Sequence, residues 1–185
     1  MLYLSLGSNL GDREANLRTA VRMISERIGH VSATSDIIET EPAGFDSPNR
    51  FLNQAIGVET SLTPETVLEL TQAIEKEIGR KEKSHNGIYK DRIIDIDLLM
   101  YNGLVINTDL LTLPHPQMEY RWFVLEPLAQ IAPDEFHPVA GKNIRTMADN
   151  YLEKHYEEYL KRKAIWEKTH KTINNKPKKN EDNEN

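Results

Sequence analysis

The chain has 185 residues, 38% of them hydrophobic and 7% aromatic, enough for one domain with a real core and too few for a second full one. It contains no cysteine, which rules out disulfides, thiolate metal sites, iron–sulfur clusters and thiol nucleophiles and makes a reducing compartment its natural home. Its 29 acidic against 23 basic residues leave a formal charge of −6, which disfavours duplex nucleic acid as the main partner, and no apolar run approaches the ~18 residues of a membrane span.

Leu2, Leu4 and Leu6 alternate with Tyr3, Ser5 and Gly7, the period of two that predicts a strand with one buried face. The opening MLYLSLGSNLGD has neither the basic head, the continuous apolar stretch nor the small-residue cleavage site of a secretory signal, so a cytoplasmic protein is expected. After the turn Gly7-Ser8-Asn9, Leu17, Val21, Ile24 and Ile28 recur at helical spacing, with Asp12 as N-cap and Gly29 as the stop. A second strand is predicted over 31–38 and a third over 51–60, separated by a loop that holds Pro42, Gly44 and Pro48. Thr63-Pro64-Glu65 supplies an N-cap, a first-turn proline and a first-turn acid. Val67, Thr71, Ile74 and Ile78 then mark the buried face of a second helix closed by Gly79. Residues 80–91 are polar and carry Asn86-Gly87, so a second long loop leads into a strand over 93–101, and Asn102-Gly103 reads as a hairpin turn into Leu104-Val105-Ile106.

Between Pro114 and Ile131, helical stretches are expected to break at Pro116 and Pro127. Met147, Tyr151, Leu152, Tyr156, Tyr159 and Leu160 predict a terminal amphipathic helix, and from about Thr169 the chain has almost nothing to bury, as in a frayed or disordered tail. No internal repeat is visible. Strand, helix, strand, given twice, is a split α+β order of the ferredoxin-like kind: an antiparallel sheet with helices packed on it in three layers, α-β-α.

Asp95 and Asp97 stand two apart on a predicted strand, so both point to one face while Ile94, Ile96 and Leu98 point to the other. Two adjacent acids repel, and in so apolar a strand they cost stability unless a cation lies between them; hard oxygen ligands of this type suit Mg²⁺, which commonly carries nucleotide phosphates. The plain alternative, both acids facing water on a half-exposed strand, loses ground because of the flanks. Arg92 precedes the pair, Arg80, Lys81 and Lys83 lie upstream, and His115 and Arg121 follow, assembling the cations and carboxylates that phosphoryl transfer needs.

GSNLGD lacks the spacing and the lysine of a phosphate-binding loop, so a tight strand-to-helix turn with Asn9 or Asp12 bonding free helix amides is the better reading. Gln72 and Glu75, three apart on the second helix, are either a solvated flank or a hydrogen-bonding edge for a nucleotide. His115, held between two prolines, is either a surface histidine or a rigid donor to phosphate. Phe51 beside Asn53, and Phe123 beside Arg121, are core residues by default. Were the rings to face one another, they would form a slot for a flat heterocycle read by the Asn53 amide.

GSNLGD at 7–12, FLNQAIGVET at 51–60, DRIIDIDLL at 91–99, LPHPQM at 113–118 and RWFVLEPL at 121–128, in this order, make the chain resemble the 6-hydroxymethyl-7,8-dihydropterin pyrophosphokinases of folate biosynthesis. The resemblance implies transfer of pyrophosphate from ATP to the pterin hydroxymethyl group, with release of AMP. It implies that Asp95 and Asp97 hold two Mg²⁺ ions on the ATP phosphates, that Arg92, His115 and Arg121 contact those phosphates, and that Arg80 belongs to a mobile catalytic loop. Phe51 and Phe123 would sandwich the pterin, with Asn53 and the Thr40-Glu41-Pro42-Ala43 backbone along its edge. Gln72, Glu75, Leu111 and Thr112 would face the nucleotide. Asp97 is the candidate acceptor of the hydroxyl proton. The resemblance makes residues 1–160 the pyrophosphokinase domain and 161–185 a charged extension.

Four positions depart from the family pattern. A second loop arginine is missing, with Glu82 and Lys83 in its neighbourhood and Lys83 as the candidate substitute. Tyr89 stands for a frequent tryptophan, Leu110 for an arginine and Pro116 for a familiar tyrosine. A monomer is expected, with other folate-pathway enzymes as weak partners. Two competing functions remain open: a non-catalytic single-stranded nucleic-acid module, since ferredoxin-like sheets can stack bases on aromatics, and a kinase sending only the γ-phosphoryl group to another alcohol.

Overall fold

The computed structural model describes residues 1–80 and 90–174, with side chains as far as Ile165. Met1–Ala148 form one compact unit, and a second begins at Asp149. The elements are β1 (Leu2–Ser8), α1 (Arg13–Arg27), β2 (His30–Thr34), β3 (Ile38–Thr40), β4 (Phe51–Glu59), α2 (Pro64–Ile78), β5 (Asp95–Tyr101), β6 (Ile106–Asn107) and β7 (Thr112–Leu113). A 3₁₀ turn (Met118–Tyr120), α3 (Trp122–Ile131), β8 (Phe136–His137), β9 (Lys142–Asn143) and α4 (Ile144–Asn174) follow.

The main sheet runs β2-β4-β1-β5, every pairing antiparallel, with β3 also on β4. Leu2, Leu4 and Leu6 on β1 join Ile94, Ile96 and Leu98 in one core with Leu17 and Ile24 of α1 and Val67 and Ile74 of α2. Each such fully buried aliphatic side chain contributes roughly 1.5–3 kcal/mol relative to exposure. Helix α3 packs on β4, β1 and β3 from the other side. These are the three layers expected, and the face under α3 is where the odd-numbered residues of β1 point. Asp12 caps α1 by accepting from the Ala15 amide at 3.0 Å, and Thr63 caps α2 through Thr66 at 3.3 Å. Gly79 ends α2 in the left-handed region at φ 121°, where a side chain would also crowd Ile93.

Gly29 is needed for space. A Cβ there would lie 2.1 Å from the carbonyl oxygen of Glu59, while Thr60 Oγ1 donates to Ile28 O at 2.6 Å and holds the two turns together. Gly29→Ala is therefore expected to cost about 1–3 kcal/mol, read as a lower urea midpoint at unchanged slope.

Several local expectations change. The single strand over 31–38 is two, because Ser35 interrupts it: its Oγ accepts from Ala55 N at 2.9 Å, and its own amide donates to Ala55 O at 2.9 Å. Strand β5 begins at Asp95, two residues later than read from the sequence. Asn102 and Gly103 do form a tight turn, both at positive φ, with Leu104 N donating to Tyr101 O at 2.8 Å. The segment beyond does not return along β5, since Ile106-Asn107 pairs with Thr112-Leu113. Pro127 lies in the second turn of a continuous α3, where a proline forgoes the amide bond to Phe123 O, and it is buried. Asn9 caps nothing; it bonds instead to the Arg92 backbone and to Asp91. Helix α4 runs through Thr169 to Asn174, so the expected tail beginning at Thr169 starts as helix. Lys81, Glu82, Lys83, Asn86-Gly87 and Tyr89 lie outside the described residues.

Candidate active site

Register builds the site. Across the sheet, Asn53 of β4, Gly7 of β1 and Asp95 of β5 stand side by side, and one pair along Ala55, Ser5 and Asp97 do the same. Small residues on the middle strand thus leave a hollow between an amide and two carboxylates. A Cβ on Gly7 would fall 3.3 Å from Asn53 Oδ1, 3.8 Å from the Phe51 ring and 4.0 Å from the Asp95 Cβ, so the glycine keeps the hollow open.

Two cavities occupy this face. The first, about 340 Å³, is walled by Thr40, Glu41, Ala43, Gly44, Phe45, Phe51, Asn53, Tyr120 and Phe123 over a floor of Ser5 and Gly7. The second, about 380 Å³, is bounded by Leu68, Gln72, Glu75, Arg80, Ile96, His115 and Pro116. Arg92, Asp95, Asp97, Gln117 and Arg121 line both. The first is an aromatic slot with one buried amide, and the second is cationic; they meet at the carboxylate pair.

The shared wall is neutralised internally. Asp95 accepts from Arg80 Nη1 at 2.6 Å and from Arg92 Nη1, while Arg121 Nη1 stands 3.8 Å from Asp97. Glu75 Oε1 accepts from Arg80 at 2.5 Å and from the Ile96 amide at 2.7 Å, which fixes α2 to β5 behind the acids. Burial pushes the Asp97 carboxyl well up, the neighbouring Asp95 charge adds to this, and Arg121 opposes it. Its side chain is nonetheless 34% exposed, because it opens into the cavities although it sits deep in the protein.

Glu75, with only 6% of its side chain exposed, is pushed up from 4.5 to about 7, chiefly by burial, with Arg80 opposing and Asp95 adding. A carboxyl with a raised folded-state pKa contributes most stability below its unfolded pKa and loses it as pH rises to its folded value. Glu75→Gln is accordingly expected to flatten the stability loss between pH 4.5 and about 7, by up to about 3 kcal/mol. Urea midpoints at the two ends of that range, for both proteins, check it.

Burial, with Arg121 next, lowers His115 to about 4, so it is neutral near pH 7. Its Nδ1 accepts from the Gln117 amide at 3.2 Å, which leaves the proton on Nε2 as a donor. Its own amide donates to Leu99 O at 2.8 Å and anchors the Pro-His-Pro segment to β5. Arg121 is also held by Gln117 Oε1, and its guanidinium carbon lies 5.7 Å from the Phe123 ring centroid. Phe51 meets Phe45 edge-on at 6.2 Å and 86°, and Asn53 Nδ2 donates to Thr40 Oγ1 at 2.9 Å.

Most residues singled out from the sequence converge here. Phe51, Phe123, Asn53, Thr40, Glu41 and Ala43 line the aromatic cavity, while Gln72, Glu75, Arg80 and His115 line the cationic one. Pro42 lines neither; Leu111 is buried in the core, and Thr112 is a strand residue of β7. Gly7, Phe45, Gln117 and Tyr120 were not foreseen. A loop aromatic among glycines and prolines was the only local sign of Phe45.

A family model described as 7,8-dihydro-6-hydroxymethylpterin-pyrophosphokinase matches residues 3–133. A 2-amino-4-hydroxy-6-hydroxymethyldihydropteridine pyrophosphokinase of Porphyromonas gingivalis is 48% identical over 141 residues, covering 76% of this chain and 95% of that one. The protein of the same description from Bacillus subtilis is 45% identical over 130 residues, 70% and 76% of the two chains. Among solved structures, a Plasmodium falciparum HPPK-DHPS superimposes with a TM-score of 0.71 at 18% identity, covering 86% of this chain. The chain spans 45% of that longer protein, and the likeness establishes the fold.

Proposed function

This chain belongs to the 7,8-dihydro-6-hydroxymethylpterin-pyrophosphokinase family, and we propose that its aromatic cavity takes the reduced pterin and its cationic cavity the nucleotide. It is an ATP-dependent diphosphotransferase of folate synthesis: the pterin hydroxymethyl oxygen bonds to the β-phosphorus of ATP, the bond from that phosphorus to the α-phosphate oxygen breaks, and AMP leaves. The observation that carries the division of labour is the shared wall, where an alcohol entering from one side meets a triphosphate entering from the other.

In the aromatic cavity, Phe51 and Phe123 bracket a flat ring, and Asn53 reads its donors and acceptors. Asp95 and Asp97 offer two hard oxygen donors on one strand face. Among the described residues no cluster of three or more His, Asp or Glu could hold an ion alone, so a cation here draws its other ligands from phosphate and water, the habit of Mg²⁺. We assign two Mg²⁺ ions to this pair, where bound metal would offset the negative charge of the transferred group. Arg80 and Arg92 leave Asp95 for phosphate oxygens as the triphosphate enters, exchanging one anion for another without an uncompensated charge. In this reading His115 Nε2 and Arg121 donate to the same oxygens, Gln72 and Glu75 face the nucleoside, and Asp97 accepts the hydroxyl proton.

All these residues lie within the catalytic domain we assign to 1–160, and we take the protein to act as a monomer. No described helix is long and apolar enough to cross a membrane. Incubation with ATP, Mg²⁺ and the reduced pterin tests the reading: AMP should appear only when pterin is present. ADP as the product would mark γ-phosphoryl transfer, and salt-sensitive RNA binding without turnover would favour a nucleic-acid module.

A further inference from the structure

Arg92, which reaches into both cavities, is preceded by a carboxylate that faces neither. Asp91 Oδ1 accepts from Ser47 Oγ and from Asn9 Nδ2, each at 2.6 Å, and its Oδ2 accepts from Asn49 Nδ2 at 2.6 Å. Asn9, 3% exposed, completes the clasp. Its Oδ1 accepts from the Arg92 amide at 2.7 Å, its own amide donates to Arg92 O at 3.1 Å, and its Nδ2 also donates to Asn49 O at 3.3 Å. Three segments far apart in sequence thus close on one carboxylate: the turn after β1, the loop between β3 and β4, and the approach to β5.

The loop so held carries Glu41, Ala43, Gly44 and Phe45, one wall of the aromatic cavity, and its end is fixed again because Asn49 N donates to Ser47 Oγ at 3.1 Å. The backbone so held is that of Arg92. We propose that Asp91 is a positioning residue, which ties the wall of the pterin cavity to the phosphate-binding arginine. Order in one cavity then supports order in the other. Burial works against the charge on Asp91, yet the donors on Ser47, Asn49 and Asn9 outweigh it and hold the carboxyl below its ordinary range, as expected of a clasp built around an anion. The clasp uses no group that touches the reacting atoms, and two of its three donors come from the loop.

The proposal rests on the cavity assignments above, and steady-state kinetics of the full chain with ATP, Mg²⁺ and reduced pterin separates the two. Asp91→Ala is expected to raise the pterin KM about tenfold and lower kcat about tenfold, since it releases both the loop and Arg92. Asn49→Ala removes one of the two loop donors and leaves the tie from Asn9 to Arg92 intact, so it should raise the pterin KM while kcat stays within about twofold. Asp91→Asn removes the charge on which Ser47, Asn9 and Asn49 converge, and Asn49 must turn its amide over to meet the new donor. Adding Asn49→Asp restores a donor–acceptor pair of reversed polarity and should recover most of the lost kcat/KM, which a merely structural role would not do. Folded Asp91→Ala and Asn49→Ala proteins with near wild-type constants would overturn the proposal, as would a folded double variant without recovery. If Asp91→Ala fails to fold, Asn49→Ala and the polarity swap decide. A wild-type protein that makes no AMP would overturn the cavity assignments instead.

Discussion

Asp97→Asn should lower kcat by about 10³-fold or more while leaving the fold as stable as before, or more so. The substitution keeps the shape of the side chain and removes one charge from a strand face where burial and Asp95 already work against ionisation, so the native state loses an unfavourable ion. On the proposed assignment, one of the two carboxylates given to Mg²⁺ at the wall shared by both cavities becomes a neutral amide, and the candidate acceptor for the hydroxyl proton is lost with it. Raised Mg²⁺ should recover part of the rate if metal affinity is what was lost. Thermal melts in parallel with single-turnover AMP release check both halves. A variant that keeps more than a tenth of the wild-type kcat would show that the pair does not carry the chemistry.

Arg92→Ala is expected to cost about 10²–10³-fold in kcat, with a smaller change in either KM. Arg92 is held on Asp95 from one side and by its backbone to Asn9 from the other, so its guanidinium is preorganised at the meeting point of the cavities. Interactions aimed at charge that develops on the transferred group appear in kcat rather than in ground-state affinity. Arg92→Lys should recover little, because one ammonium cannot reproduce the planar fork that can serve two oxygens together. Losses confined to the ATP KM, with kcat intact, would reassign Arg92 to ground-state binding.

Local patterns were the legible part of this chain. The alternation in β1, the periodic faces of α1 and α2, and the caps at Asp12 and Thr63 are set by neighbours within one turn or one strand, and the structure has them. The facing of Asp95 and Asp97 was legible for the same reason. What could not be read was register. Only the placement of β1 between β4 and β5 brings Gly7 beside Asn53 and Asp95, and no local pattern states which small residue will lie under a pocket. Of the two residues offered for the helix amides, Asp12 takes that role; the role of Asn9 was not legible, because its partners Asp91 and Arg92 are more than eighty positions away. Pro127 shows the opposite error, a sound local rule overridden by packing on the sheet.

The two arginines that flank residues 81–89 are each secured from outside that stretch. Arg80 leaves α2 through the left-handed Gly79 and is pinned by its amide to Glu75 O at 3.0 Å as well as by its guanidinium, whereas Arg92 is pinned through Asn9. Each guanidinium therefore enters the site from a backbone that is tethered at its root, with both ends of the tether among the described residues.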